Sequence, residues 1–152
     1  MKRIWIDAGK CDGCLNCTLA CMNAHRADKG SIYDLDLTDP ANESRNFIRR
    51  QPDGSYRPIF CRHCDRPECV YTCMTGAMHK NPENGFVEYD REKCASCYMR
   101  VMACPYGVLK SDRIEHKEIM KCNMCVHRSS DKKGAPMCVE KCPMQAITFE
   151  EV

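Results

Sequence analysis

Fifteen cysteines in 152 residues constrain this chain more than any other feature, because they fall into four spaced runs. The runs are Cys11-x2-Cys14-x2-Cys17-x3-Cys21, Cys61-x2-Cys64-x4-Cys69-x3-Cys73, Cys94-x2-Cys97-x6-Cys104-Pro105 and Cys122-x2-Cys125-x12-Cys138-x3-Cys142-Pro143. The first is a spacing in which thiolates hold iron–sulfur clusters, three sulfurs on one cluster and the fourth reaching another. The third run lacks one cysteine, and Arg100 stands in its slot.

Cysteine at about a tenth of the residues marks either a disulfide scaffold or a metal protein. The odd count and the recurring Cys-x2-Cys pairs favour metal. So does the opening, where Met1-Lys2-Arg3 passes through only Ile4-Trp5-Ile6 before the polar Asp7-Ala8-Gly9-Lys10, unlike a secretory signal. A reducing compartment is therefore expected, most simply the cytoplasm. No stretch approaches the roughly 20 apolar residues of a membrane span, so membrane contact is expected only through a partner. Four Phe and one Trp leave the hydrocarbon core thin for a chain of single-domain length. The formal charge of +2 counts every thiol as neutral. Four clusters at about −2 each bring the loaded protein to roughly −6. The 23 Lys and Arg then read as compensation for cluster charge. No basic run is interleaved with stacking aromatics, and no nucleic-acid partner is expected.

Strand patterns sit beside the runs at residues 3–7, 85–89 and 146–149. Each run reads as a loop leading into a short helix, as at residues 17–22. The Cys-Pro pairs at 104–105 and 142–143 stop such helices, since proline disfavours helical geometry in the residue before it. This unit recurs about four times, which implies an α+β fold of two modules with short strands, short helices and long loops around the clusters. Residues 26–56 are polar and irregular and read as a surface connection. Residues 128–137 form a shorter loop inside the fourth run. Both segments are solvated linkers or docking surfaces.

Three strings carry a family resemblance: Cys61-Arg-His-Cys-Asp-Arg-Pro-Glu-Cys69, Cys104-Pro-Tyr-Gly107, and Lys121-Cys-Asn-Met-Cys-Val-His-Arg128 with Cys138-Val-Glu-Lys-Cys-Pro143. With them the chain resembles the four-cluster, ferredoxin-like electron-transfer subunits found beside molybdenum oxidoreductases, formate dehydrogenases, hydrogenases and carbon monoxide dehydrogenases. The opening Met-Lys-Arg-Ile-Trp-Ile-Asp with Lys10-Cys-Asp-Gly-Cys14 looks most like the ferredoxin-like subunit of carbon monoxide dehydrogenase. The resemblance implies bacterial-ferredoxin-like modules with ligation crossed between runs. Cys11, Cys14, Cys17 and Cys142 would hold one [4Fe-4S] cluster, Cys21, Cys122, Cys125 and Cys138 a second, and Cys61, Cys64, Cys69 and Cys104 a third. Cys73, Cys94 and Cys97 remain for an incomplete fourth site beside Arg100. Residues 1–25 and 113–152 would form the outer module and residues 57–112 the inner one. Met74 departs from the family, where proline is usual after the last cysteine of the second run; Arg100 is the other departure. The implied role is non-catalytic: single electrons pass between a catalytic redox enzyme, carbon monoxide dehydrogenase or a similar one, and a downstream redox protein.

Arg100 leaves four readings open. Arginine offers no lone pair and is a poor iron ligand. Three cysteines suit a [3Fe-4S] cluster, or a [4Fe-4S] cluster whose fourth iron takes water or an external ligand. The site could also be vacant, with Arg100 neutralising thiolates, or ligated by Arg100 itself. An open iron there could act as a Lewis acid, which is the enzymatic alternative; otherwise no dinucleotide fingerprint or triad spacing stands out. His63, between Cys61 and Cys64, raises zinc as a further alternative. His25, His79, His116 and His127 lack a partner pattern and read as surface or hydrogen-bonding residues. The ten methionines read as fillers of irregular gaps. Lys10, Arg62, Lys93 and Lys141 stand beside cysteines, where they either raise potentials or are simply solvated.

Overall fold

The computed structural model describes residues 1–28, 30–128 and 134–151, so part of the 128–137 loop, residues 129–133, lies outside the described residues. The strands are β1 (Lys2–Ile6), β2 (Phe47–Arg50), β3 (Tyr56–Ile59), β4 (Met78–Lys80), β5 (Val87–Tyr89), β6 (Lys110–Ser111), β7 (Ile119–Met120) and β8 (Ile147–Glu151). The helices are α1 (Asn16–His25), α2 (Glu68–Tyr71), α3 (Met99–Ala103) and α4 (Met137–Glu140). Among the described residues none is long and apolar enough to cross a membrane. α3 stops directly before Cys104-Pro105 and α4 shortly before Cys142-Pro143, where proline forbids continuation.

The strands pair antiparallel into four two-stranded ribbons, β1–β8, β2–β3, β4–β5 and β6–β7. In β1 the alternation of the sequence is kept: Ile4 faces inward opposite Phe149, while Trp5 is exposed opposite Thr148. An isolated two-stranded ribbon is marginal in water, so each must be held by packing. Two cores supply it. Ile4, Phe60, Met124 and Ile147 form the first, and the thiols of Cys17 and Cys138 are buried among them. Met78, Val87, Leu109 and Ile119 form the second, with Cys69, Cys73 and Cys104 packed at its edge. α1 packs on α4 and α2 on α3. The fold is thus a small α+β arrangement of short elements around sulfur-lined loops, as the spacing of the runs leads one to expect.

Two segments differ in character from a plain linker. Within residues 26–56, Ser44 and Asn46 are buried. Asn46 donates to the Cys17 carbonyl at 3.4 Å and accepts from the Thr18 hydroxyl at 3.1 Å. A polar segment goes inside here because its polar groups find partners on α1. The loop between β6 and β7 is organised by Asp112, whose two carboxylate oxygens accept backbone N–H groups from Ile114 to Glu118. Those donors, Glu118 foremost, hold its carboxyl well below the usual carboxylate range. The 112/113 boundary falls inside this hairpin, and Ile119 packs into the second core.

Candidate metal centres

The loops between cysteines are curled by residues in left-handed backbone conformation: Gly13 and Leu15 in the first run, His63 in the second, Ser96 and Tyr98 in the third, Met124 and Cys125 in the fourth. Such turns aim successive N–H groups into one concavity. Some of those groups reach sulfur. Ser96 N–H donates to Cys94 Sγ and Met124 N–H to Cys122 Sγ, each at 3.4 Å, and Arg45 N–H donates to Cys21 Sγ at 3.3 Å. Gly13 has φ +75°, and a Cβ there would meet the Tyr56 ring at 2.6 Å, so glycine is the residue this turn of the first loop favours.

Cysteines from distant runs converge. Cys11, Cys14, Cys17 and Cys142 line one cavity, walled by Ile48, Pro58 and Ile147. Cys61, Cys64, Cys69 and Cys104 line another, walled by Val87, Val108 and Leu109. Cys138 lies within electrostatic reach of Cys122, Cys21 and Cys125. All fifteen cysteines are free thiols. Burial pushes Cys17 and Cys69 up to about 11 and Cys122 up to about 12; Cys138 and Cys21 rise for the same reason. Left alone these sulfurs stay protonated, and only a strong Lewis acid displaces the protons. Four sulfurs ringing an apolar cavity, with N–H donors turned toward sulfur, fit an iron–sulfur core.

The remaining three cysteines face a different environment. Arg100, on α3, is 1% exposed and donates through Nη2 to Cys94 Sγ at 2.8 Å. Its guanidinium lies over the Tyr89 ring, 5.4 Å from the centroid, a cation–π contact. Nε and Nη1 are buried without an acceptor among the described residues. Burial raises the Cys73 thiol, but the Met78 N–H, the Thr75 side chain and N–H, and Arg100 outweigh it and bring Cys73 down to about 7. Cys94 is lowered as well: the Tyr89 hydroxyl, the Ser96 N–H and Arg100 together overcome its burial. Tyr89 rises in turn to about 12, through burial and then through Cys94. Cys97 is exposed on the same loop, three residues before Arg100.

Other predicted residues fall into place. His63 is buried, and its Nδ1 accepts the Val87 N–H at 2.9 Å, which leaves the proton of the neutral ring on Nε2. Burial, with Lys121 and Arg3 nearby, holds it well below the usual histidine range. His63 is thereby tied to the protein backbone. His25 and His127 meet edge to face at 5.0 Å, and His127 reaches the Ala24 carbonyl at 3.0 Å.

A profile of the 4Fe-4S dicluster domain matches residues 52–152. The chain belongs to the 4Fe-4S dicluster domain family. The probable anaerobic dimethyl sulfoxide reductase chain YnfG of Escherichia coli K12 is 36% identical over 149 residues, 95% of this chain and 71% of that one. A sulfite dehydrogenase subunit from Allochromatium vinosum is 33% identical over 162 residues, 97% of this chain and 67% of its own length. A solved structure of the BamBC active site complex of benzoyl coenzyme A reductase with benzoyl-CoA aligns with a TM-score of 0.53 and 24% identity. That alignment covers 99% of this chain and 79% of the other, and shows that the fold is shared. Three contributors carried no signal in the cysteine spacing: Thr75 follows Cys73 by two residues, while Tyr89 and the Arg45 N–H come from other segments and meet sulfur only in the folded chain.

Proposed function

We propose that this chain is the electron-transfer subunit of an oxidoreductase complex and holds four iron–sulfur clusters in a row. The observation that carries the reading is the convergence of far-separated cysteines on shared cavities, Cys142 with Cys11, Cys14 and Cys17, and Cys104 with Cys61, Cys64 and Cys69. Cys21, Cys122, Cys125 and Cys138 would hold the third [4Fe-4S] core. When bound, each core takes up and gives back one electron at a time. The residues do the rest. Thiols raised by burial bind through their ionised forms, backbone N–H groups donate to their sulfurs, and Ile48, Pro58, Val108 and Leu109 keep water from the two cavities.

The incomplete site would hold a [3Fe-4S] core on Cys73, Cys94 and Cys97. Arg100 supports this over an empty site. A buried N–H without an acceptor costs about 1–3 kcal/mol, and Nε and Nη1 both lack one. Inorganic sulfide at a corner without iron is such an acceptor.

The catalytic partner is proposed to be a molybdenum oxidoreductase, a reading supported by the names of the dimethyl sulfoxide reductase and sulfite dehydrogenase relatives. Carbon monoxide dehydrogenase is the second reading, on the likeness of residues 1–14. Affinity purification under anaerobic conditions separates them: the co-purifying enzyme contains molybdenum and turns over a sulfoxide or sulfite, or it oxidises carbon monoxide. The cluster reading is tested by anaerobic reconstitution, which should load about fifteen irons per chain with matching sulfide. Eight irons or fewer, or zinc without sulfide, rejects it.

A further inference from the structure

Lys121 is buried, 6% exposed, yet no Asp or Glu among the described residues forms an ion pair with it. Its Nζ donates to the Cys122 carbonyl at 3.0 Å. A buried ammonium needs a counter-charge, because taking it out of water costs several kcal/mol. The anions available are sulfurs, and they belong to two different sets. Lys121 acts electrostatically on Cys122 of the Cys21/Cys122/Cys125/Cys138 set and on Cys69 of the Cys61/Cys64/Cys69/Cys104 set. His63 and Val87 line both the Cys61/Cys64/Cys69/Cys104 cavity and the cleft that holds Lys121 and Cys122, so the two sets adjoin at this lysine. His63 lines the same cleft as Lys121 and Cys122, and its ring is neutral, so it supplies no compensating charge.

We propose that Lys121 is a shared cation interposed between two adjoining iron–sulfur sites, one from each module, and that it raises the reduction potential of both. The inference rests on the cluster reading above. Each site gains one electron on reduction, and the ammonium favours the more negative state of either. No proton moves. A fixed positive charge at the junction favours an electron on either side of the crossing between modules. Arg45 provides the contrast. It acts on Cys21, Cys122 and Cys125, all of one set.

The experiment is an electron paramagnetic resonance redox titration of the reconstituted full chain, with iron and sulfide measured on every sample. In Lys121→Met two reduction steps should move to lower potential, each by about tenfold in its equilibrium constant, or 59 mV for a one-electron step. Lys121→Arg should restore both. Arg45→Met should move one step only. Where Lys121→Met does not load its clusters, Lys121→Gln keeps a donor for the Cys122 carbonyl without the charge and carries the same expectation. With iron content at the wild-type level, a Lys121 variant that moves no step, a single step or all steps equally overturns the proposal. Wild-type protein without iron and sulfide overturns the cluster reading itself, and this inference with it.

Discussion

The first and third cysteine runs make the same turn twice. Cys11, Cys14, Cys17 and Cys21 correspond in spacing to Cys94, Cys97, Arg100 and Cys104. Gly13 and Ser96 are both left-handed, and so are Leu15 and Tyr98, each of which precedes the first residue of a helix. Cys17 and Arg100 are therefore both the second residue of their helix, and both are buried. The backbone repeats while the charge in the slot inverts. Burial pushes Cys17 up to about 11, whereas Cys73 is drawn down to about 7 and Cys94 is lowered with Arg100 beside both. One site waits for metal to ionise its thiols. The other carries its own counter-ion. Loop geometry is thus set by the small left-handed turns, and what a site can hold is set by one residue within it.

Stripping the metal should break the comparison most severely. Cys17 and Cys138 are members of the first core, so without clusters that core is opened by raised, unliganded thiols. Chelation or air oxidation should remove far-ultraviolet circular dichroism together with the brown absorbance, a loss of the entire folding free energy, about 5–15 kcal/mol. A cooperatively folded apoprotein contradicts this. Exchanging the two slots comes next. Arg100→Cys should raise iron from about fifteen to about sixteen per chain and replace the oxidised-state signal of a three-iron core by a reduced-state one. Its potential should fall, since a thiolate replaces a cation. Cys17→Arg should cost its site iron. Arg100→Met should destabilise by about 3 kcal/mol, because it strands sulfur anions beside a buried apolar side chain. If Arg100→Cys leaves iron and spectrum unchanged while Cys17→Arg loads normally, the two slots are not equivalent.

Much of this was legible from spacing alone. The four runs announce the loops, Cys-Pro marks where α3 must end, and the strand patterns at 3–7, 85–89 and 146–149 lie over β1, β5 and β8. β2 and β3 gave no such sign, because Phe47–Arg50 and Tyr56–Ile59 mix charge and proline with few apolar residues. The burial of Ser44 and Asn46 was equally hidden: it depends on hydrogen bonds to α1, which sequence periodicity does not encode. That Arg100 fills a cysteine slot could be read directly. That its guanidinium pairs with Cys94, lies over Tyr89 and keeps two donors unspent could not, because Tyr89 comes from β5 and meets α3 only in the fold.

A second difference between the repeats sharpens the comparison by pH. Pro105 stops α3 at Ala103, while Met22 lets α1 run on to His25. Burial, helped by Arg45, lowers His25 to about 4 from an ordinary 6.5. Its ring is neutral in the fold and binds a proton more readily once unfolded. Stability is therefore full above pH 6.5 and falls as pH drops from there toward 4, by about 3 kcal/mol at the acid end. Urea titrations of loaded protein between pH 7 and 4.5 should show this slope, and His25→Gln should flatten it. An unchanged slope in the variant assigns the acid loss elsewhere.

The smallest effect separates the two left-handed positions, Gly13 and Ser96. Gly13 has the Tyr56 ring against it, at 2.6 Å from where a Cβ would stand, whereas Ser96 accommodates its side chain and donates through Oγ to the Lys117 carbonyl at 2.7 Å. Gly13→Ala should cost about 2 kcal/mol, part from the left-handed backbone, about 1 kcal/mol, and the rest from the ring. Ser96→Gly relieves a similar backbone cost but loses a hydrogen bond worth about 1 kcal/mol, so the net change should be within about 0.5 kcal/mol. The ring's share is separable. In a double-mutant cycle, Tyr56→Ala should cost stability in the wild type but recover about 1 kcal/mol of the Gly13→Ala loss. Strict additivity would show that backbone conformation alone requires the glycine. The two runs would then differ at this position only in what their loops tolerate, not in what packs upon them.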